Sequence, residues 1–201
     1  PLYSSAASDV YKRQVICVGN IQVGGTGKTP HTEWLINNLP TITNRNIVVL
    51  SRGYGRKTKG FILANETASP NTIGDEPFQI YTKFKSKVKV IVCEKRVMAL
   101  DWVKEHVSNP IVIMDDGFQH RAVLPGFVLI LTPFNAPFFK DFMLPFGRLR
   151  ESTSQAARAD AIIFTKIPDE KQSIQLATVY AEIPKLLQRK SLYMSGFEYN
   201  V

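Results

Sequence analysis

Residues 15–29 read VICVGNIQVGGTGKT, and the fold turns on this stretch. Val15 to Val18 is a short, β-branched apolar run that stops at Gly19, the pattern of a strand buried on both sides. Val23 to Thr29, VGGTGKT, is rich in glycine. Thr29 to Leu39 then has helical spacing, with Trp34, Leu35 and Leu39 expected on one side. Strand, glycine loop and helix in this order make a phosphate cradle. Gly24, Gly25 and Gly27, with Thr26 among them, form a loop whose glycines let backbone N–H groups converge without Cβ clashes. The helix that follows adds the positive end of its dipole. Lys28 can reach β- and γ-phosphates, and the Thr29 hydroxyl can ligate magnesium. The strict pattern has glycine at position 22, where this chain has Gln22. A glycine-rich turn with an incidental lysine is the plainer alternative. A dinucleotide fingerprint does not fit, because Gly25-Thr26-Gly27 runs into Lys28, Thr29 and Pro30 with no third glycine.

Outward from this loop the apolar runs recur. Ile47–Leu50, Val88–Val92, Ile111–Met114, Val128–Leu131 and Ala161–Phe164 read as further buried strands, and Phe61–Leu63 as a short one. Glu76–Phe84 and Arg96–His106 have helical spacing, the latter carrying Val97, Leu100, Trp102 and Val103. Ser51–Gly60, SRGYGRKTKG, is a basic, glycine-punctuated loop. Continuous apolar strands alternating with helices predict an α/β domain, a mostly parallel sheet with helices on both faces. Ligands of such sheets gather beyond the carboxyl ends of the strands, where all these loops fall. The strand Ile111–Met114 runs into Asp115 and Asp116, a Walker-B arrangement that delivers carboxylate to a magnesium shell. If the strand continues through them, the two side chains face opposite ways, one to metal and one to loop or substrate. A turn carrying two aspartates is the simpler alternative.

Length and composition bound the rest. The 201 residues suit one domain, or one and the start of a smaller second, with 44% hydrophobic residues able to supply a core. The net charge of +8 favours an anionic partner, yet the basic residues are dispersed and form no nucleic-acid arm. Cys17 and Cys93 lie in apolar runs without a CxxC pair, so they read as buried reduced thiols. No apolar run reaches the ~18 residues of a membrane span. Residues 1–14, PLYSSAASDVYKRQ, lack a signal-peptide core and resemble translated adaptor sequence, so a non-native leader is expected there.

VGNIQVGGTGKTP, SRGYGRK, GDEP, DDGFQH and LPFGRLRE occur in this order between Val15 and Glu151. Together they resemble the lipid A 4'-kinase (tetraacyldisaccharide 4'-kinase) family of the P-loop superfamily. The resemblance implies transfer of the ATP γ-phosphate to the 4'-hydroxyl of a tetraacylated glucosamine disaccharide 1-phosphate, giving lipid IVA in lipid A biosynthesis. It implies ATP and Mg2+ as cofactors, no nucleic-acid partner, and a peripheral cytoplasmic enzyme at the bacterial inner membrane. It implies a kinase domain over 15–166, with 167–201 a linker or the start of a truncated C-terminal domain. By the same resemblance, no counterpart of the family's membrane-docking N-terminal helix is expected within these residues, and the assisting histidine is expected in a C-terminal part beyond them.

Carried over by motif, Lys28 and Thr29 serve phosphate and magnesium, and Asp75 of Gly74-Asp75-Glu76-Pro77 matches the proposed catalytic base. Asp115 and Asp116 match the metal carboxylates, with Glu151 as a further metal candidate. His120 and Arg96 are catalytic candidates, and Tyr54, Gln119, Arg148 and Arg150 substrate candidates. Each has a structural alternative. Asp75 can cap the helix after it. His120 can merely bond its loop. Arg96 can be a helix-surface charge. Glu151 can pair with Arg148 or Arg150. His31 and His106 carry no motif and read as surface residues. Phe134, Phe138, Phe139, Phe142 and Phe146 read as core packing, with lipid contact the sharper alternative. The rival function is a P-loop ATPase switch that binds a membrane or protein partner. Such switches often carry a second lysine before the paired glycines, where this chain has Val23.

Overall fold

The computed structural model describes residues 14–167 and 182–196. The expected leader lies outside them except for Gln14, and so does much of the segment after 167. The described residues fall into two compact units. One joins the described part of Pro1–Val18 to Thr29–Phe127, and the other joins Gly19–Lys28 to the chain from Val128 onward.

In chain order the first unit carries β1 (Val15–Gly19), α1 (Lys28–Ile42), β2 (Asn46–Ser51), β3 (Ile62–Leu63), α2 (Pro70–Ile73), α3 (Asp75–Phe84), β4 (Lys89–Val92), α4 (Arg96–His106) and β5 (Pro110–Asp115). Gly19 and Lys28, the end residues of β1 and α1, are assigned to the second unit. The first unit's strand order is β3-β4-β2-β5-β1. β1 pairs with β5, β5 with β2 and β2 with β4, all parallel, while β3 runs antiparallel at the edge. Parallel pairing follows from composition. Five successive residues of β2, Ile47 to Ser51, are buried. Successive strand residues point to opposite faces, so both faces of β2 are covered. α1 contributes Thr32, Leu35, Ile36 and Leu39 to the buried set, α3 Pro77, Ile80 and Phe84, and α4 Ala99, Leu100 and Val103.

Most elements expected from the sequence are present, several with the same bounds to a residue or two. Three details differ. Trp34 is 61% exposed rather than on the packed side of α1. The buried stripe runs 32, 35, 36, 39, the three-to-four spacing of a helix face, and Trp34 falls off it. His31, expected at the surface, is buried, whereas His106 is exposed and stacks on Trp102 with ring centroids 4.6 Å apart. Both cysteines are buried free thiols, as expected.

The second unit carries β6 (Phe127–Pro133), β7 (Ala161–Thr165) and β8 (Ser191–Met194), paired in that order and parallel. Phe127, the first residue of β6, belongs to the first unit. β8 was not anticipated. Short 3-10 segments cover Phe138–Lys140, Thr153–Arg158 and Lys185–Leu187. Among the described residues no helix is long and apolar enough to cross a membrane.

Leu50 is fully buried near the end of β2, between two parallel neighbours. Leu50→Ala is expected to cost about 2–5 kcal/mol of stability, read as a lower denaturant midpoint with unchanged slope.

Candidate active site

The second unit builds the glycine loop. Gly24 and Gly27 have φ of 106° and 88°, values that side chains rarely adopt, which is why glycine stands there. The loop is tied from inside. Asn20, fully buried, donates to Thr26 Oγ1 at 2.8 Å. Thr165, at the end of β7, donates through Oγ1 to the Thr26 carbonyl at 3.0 Å. Lys166 follows with φ 58°, and its Nζ lies 3.8 Å from where a Cβ on Gly25 would sit. Lys28 opens α1, so the first-turn N–H groups that a helix leaves without intrahelical partners begin where the loop ends.

Gln22 stands where the strict motif has glycine, and its side chain is built in. Its Nε2 donates to the Ala136 carbonyl at 3.1 Å and to Asp141 Oδ2 at 2.9 Å. Its Oε1 accepts from Thr132 Oγ1 at 3.3 Å. The backbone on either side pairs with the LPFGRLRE segment. Val23 N donates to Arg148 O at 2.7 Å, and Arg150 N to Ile21 O at 2.8 Å. Two motifs far apart in sequence are thereby hydrogen-bonded together.

The first unit builds the acidic and cationic groups. β5 ends at Asp115, so the expected alternation through Asp116 does not occur: Asp116 turns into the left-handed region at φ 46°. Asp115 is buried and accepts from Thr32 Oγ1 at 3.2 Å, one turn along α1 from Thr29. The chain then turns through Gly117, where any Cβ would lie 2.6 Å from Met114, and His120 N closes the turn on Gly117 O at 2.9 Å. Half-buried Gln119 lies in this turn.

Arg96 is not a helix-surface charge. It is 3% exposed, donates through Nη1 to Cys93 O at 2.9 Å, and its Nε has no hydrogen-bond partner among the described residues. Burial and the Arg52 charge lower its pKa, against the pull of Asp116, Cys93 and Asp115. His120 Nε2 is likewise buried without a partner. Burial first, then Arg96 and Arg52, hold the His120 pKa below its ordinary 6.5, so it is neutral at pH 7. Arg52, Arg96 and His120 thus form one electrostatic group beside the two aspartates.

Asp75 is the first residue of α3, after Gly74 at φ 92°. It is exposed. The helix cap position belongs to Gly74 and has no side-chain cap, so Asp75 is not the cap, although its charge suits the helix start. Tyr54 is exposed in the 52–60 loop.

In the second unit, Glu151 pairs with Arg158 at 2.8 Å, a partner outside the two arginines of its own motif. Arg148 Nε donates to Asp141 Oδ2 at 3.0 Å, and Arg150 Nη2 to the side-chain oxygen of Asn20. The phenylalanine stretch divides. Phe138 is fully buried, packed edge-on with Phe139, which in turn meets Phe164, so these are core. Phe142 to Phe146 are five successive exposed residues, Phe146 at 91%.

Residues 3–195 match the family model described as Tetraacyldisaccharide-1-P 4'-kinase. The chain belongs to this family. It is similar to the Tetraacyldisaccharide 4'-kinase of Cytophaga hutchinsonii, 48% identical over 155 residues, covering 77% of this chain and 44% of that relative. It is similar to the Tetraacyldisaccharide 4'-kinase of Porphyromonas gingivalis, 42% identical over 195 residues, covering 96% of this chain and 54% of that relative. The chain thus spans about half the length of these curated relatives. The crystal structure of LpxK from Aquifex aeolicus in complex with ATP shares the fold, with a TM-score of 0.66 and 24% identity over 99% of this chain and 81% of that one.

In this tetraacyldisaccharide 4'-kinase family member, sequence reading missed Gln22 as an anchor, Thr165-Lys166 beside the loop, and Asp141. The sequence signal for the second of these is the basic Thr165-Lys166 pair directly after the apolar run Ala161–Phe164. Asp141 takes hydrogen bonds from Gln22, Phe142 N, Arg148 N and Arg148 Nε. Burial pushes its pKa up, but these donors more than offset that and hold it at about 2 against an ordinary 3.8. A depressed carboxylate stabilises the fold above its unfolded pKa and loses that contribution as pH falls through the folded value. Asp141→Asn is therefore expected to lower the melting temperature at pH 7, with the difference shrinking between pH 3.8 and about 2 in a thermal-denaturation series.

Proposed function

We propose that the gene product transfers the γ-phosphate of ATP to the 4'-hydroxyl of a tetraacylated glucosamine disaccharide 1-phosphate. The observation that carries this reading is the Arg52, Arg96 and His120 group beside Asp115 and Asp116, with a buried Arg96 donor and a buried His120 ring nitrogen that no described residue satisfies. Buried N–H donors without partners call for an acceptor-rich ligand. An ATPase acting only as a timer needs one anion site, the phosphate loop. A kinase whose acceptor already carries a phosphate needs a second.

The roles then follow. Gly24 to Gly27 and Lys28 hold the nucleotide phosphates, with Lys166 as a further cation near Gly25. The oxygen-only set of Thr29, Asp115 and Asp116 fits magnesium, which takes one or two carboxylates with phosphate oxygens. Bound there, magnesium would offset the charge of the transferring phosphate. Asp75 receives the proton of the attacking hydroxyl. The hydroxyl oxygen bonds to the γ-phosphorus as the bond to the bridging oxygen breaks, and ADP leaves with that electron pair. Arg96 and His120 orient the acceptor, with Gln119 and Tyr54 lining its approach. Arg148, Arg150 and Glu151 shape the second unit around the loop. Labelled γ-phosphate should reach the lipid with the intact gene product and be lost with Asp75→Ala, while ATP binding persists. ATP hydrolysis without lipid labelling would replace this reading with the ATPase switch.

The same reading places the protein peripherally at the cytoplasmic face of a bacterial inner membrane. The five exposed apolar residues Phe142 to Phe146 support it, because a contiguous exposed apolar patch marks a contact surface. Phe142→Ser with Phe146→Ser is expected to reduce co-sedimentation with anionic phospholipid vesicles several-fold at unchanged melting temperature. Equal sedimentation would remove this loop from the membrane surface.

A further inference from the structure

The 52–60 loop is fastened by a pair that the chemistry above does not use. The Arg56 side chain is 2% exposed. Its Nη2 donates to Glu94 Oε1 at 2.5 Å and to the Gly60 carbonyl at 2.7 Å. Glu94 Oε2 accepts from Gly60 N at 3.0 Å, so one carboxylate grips the arginine and the far end of its own loop. Arg56 is also a wedge. A Cβ on Gly53 would lie 2.6 Å from Arg56 Cδ and 2.8 Å from the Ile73 carbonyl.

What the wedge supports is the backbone just before Asp75. A Cβ on Gly74 would lie 2.7 Å from the Tyr54 carbonyl and 3.2 Å from Gly53 Cα, so the two segments touch through bare glycine backbone. Both glycines have positive φ, at 72° and 92°. Two further bonds sew the loop to α2: Lys57 N to Asn71 O at 2.8 Å, and Thr58 Oγ1 to Thr72 O at 2.6 Å. At the loop's start stands Arg52, whose charge acts on Arg96 and His120. One loop therefore joins Arg52 and Tyr54 to the residue that precedes Asp75.

We propose that Arg56 and Glu94 are a positioning pair: they hold the 52–60 loop closed on Gly74, and so fix Asp75 relative to Arg52 and Tyr54. The proposal rests on the kinase reading of Asp75. Side chains of a site act within small positional tolerances, and loosening a support costs turnover more than nucleotide binding. The phosphate loop, residues 23–29, lies elsewhere in the chain.

The test is γ-phosphate transfer to the lipid acceptor by the intact gene product, with Glu94→Ala, Glu94→Gln and Asp75→Asn side by side. Glu94 is partly exposed, and Glu94→Gln keeps its volume while replacing the acceptor for Gly60 N, so at least one variant should fold. Glu94→Ala is expected to lower kcat at least tenfold with the KM for ATP within twofold of wild type, and Glu94→Gln to fall between. Wild-type kcat in a folded Glu94→Ala, or a loss confined to the KM for ATP, would overturn the positioning role. If Asp75→Asn retains full transfer, the base assignment is what fails. If Asp75→Asn abolishes transfer and both Glu94 variants retain it, only the buckle fails.

Discussion

Parallel pairing is the constraint from which the first unit's chemistry follows. β1, β5, β2 and β4 all run the same way, and their registers align Val18 with Asp115, Leu50 with Met114 and Ser51 with Val92. Parallel strands deliver all their carboxyl ends to one edge, and backbone beyond that edge is freed from the ladder. Arg52 follows β2, Glu94 and Arg96 follow β4, and Asp115 ends β5. The sheet's full burial excludes ionised groups from its middle, so the charges can collect only where the strands stop. Arg96 shows the consequence, buried yet bonded to the carbonyl of Cys93 just past β4.

The glycines of the two units serve two different ends. Gly24 and Gly27 are demanded by backbone shape, and a Cβ on Gly24 would meet nothing. Gly53, Gly74 and Gly117 are demanded by contact, since a Cβ at each would approach neighbouring atoms within 2.6 to 2.8 Å. The second kind reports which segments are pressed together. At Gly53 and Gly74 it is the basic loop against the entry to α3, and at Gly117 it is the turn after β5 against Met114 and Cys17. Glycine in the motifs SRGYGRK, GDEP and DDGFQH is thus packing information as much as turn chemistry.

Much of this was legible in sequence because apolar period and glycine punctuation are local signals. β1, β2 and β5 carry both, β4 and α4 the apolar period alone, and all were readable almost to their ends. The phosphate loop was legible because strand, glycines and Lys28-Thr29 are contiguous. What was not legible depends on distant partners. Gln22 looked like a flaw in the motif, and only its bonds to Ala136, Asp141 and Thr132 show a structural post. Glu151 read as a metal candidate or a partner of Arg148 or Arg150, and the Arg158 that the chain brings to it could not be seen from its neighbours in sequence. β8 is short, and its residues Ser191, Tyr193 and Met194 are only partly covered, so its pattern is weak. The phenylalanine stretch was ambiguous because one composition serves both core and surface, and the division falls at Asp141.

Asp141 also shows how a departure from a motif can be stabilising. A glycine at position 22 would leave Asp141 without one of its four donors and Thr132 Oγ1 without its acceptor. The carboxylate would still hold Arg148 and the two backbone N–H groups. Yet the bond that fastens this hub to the phosphate-loop strand would be gone, leaving the backbone bonds at Val23 and Arg150 and the Arg150 side-chain bonds to Asn20 to keep the segments together. Thr132 also receives the Phe138 N–H at 2.9 Å, so the same residue links the loop's post to the first buried phenylalanine. Glycine is dispensable at position 22 because the turn's left-handed residues are Gly24 and Gly27, and the side chain in its place fastens the base of the nucleotide loop to the segment that carries Arg148 and Arg150.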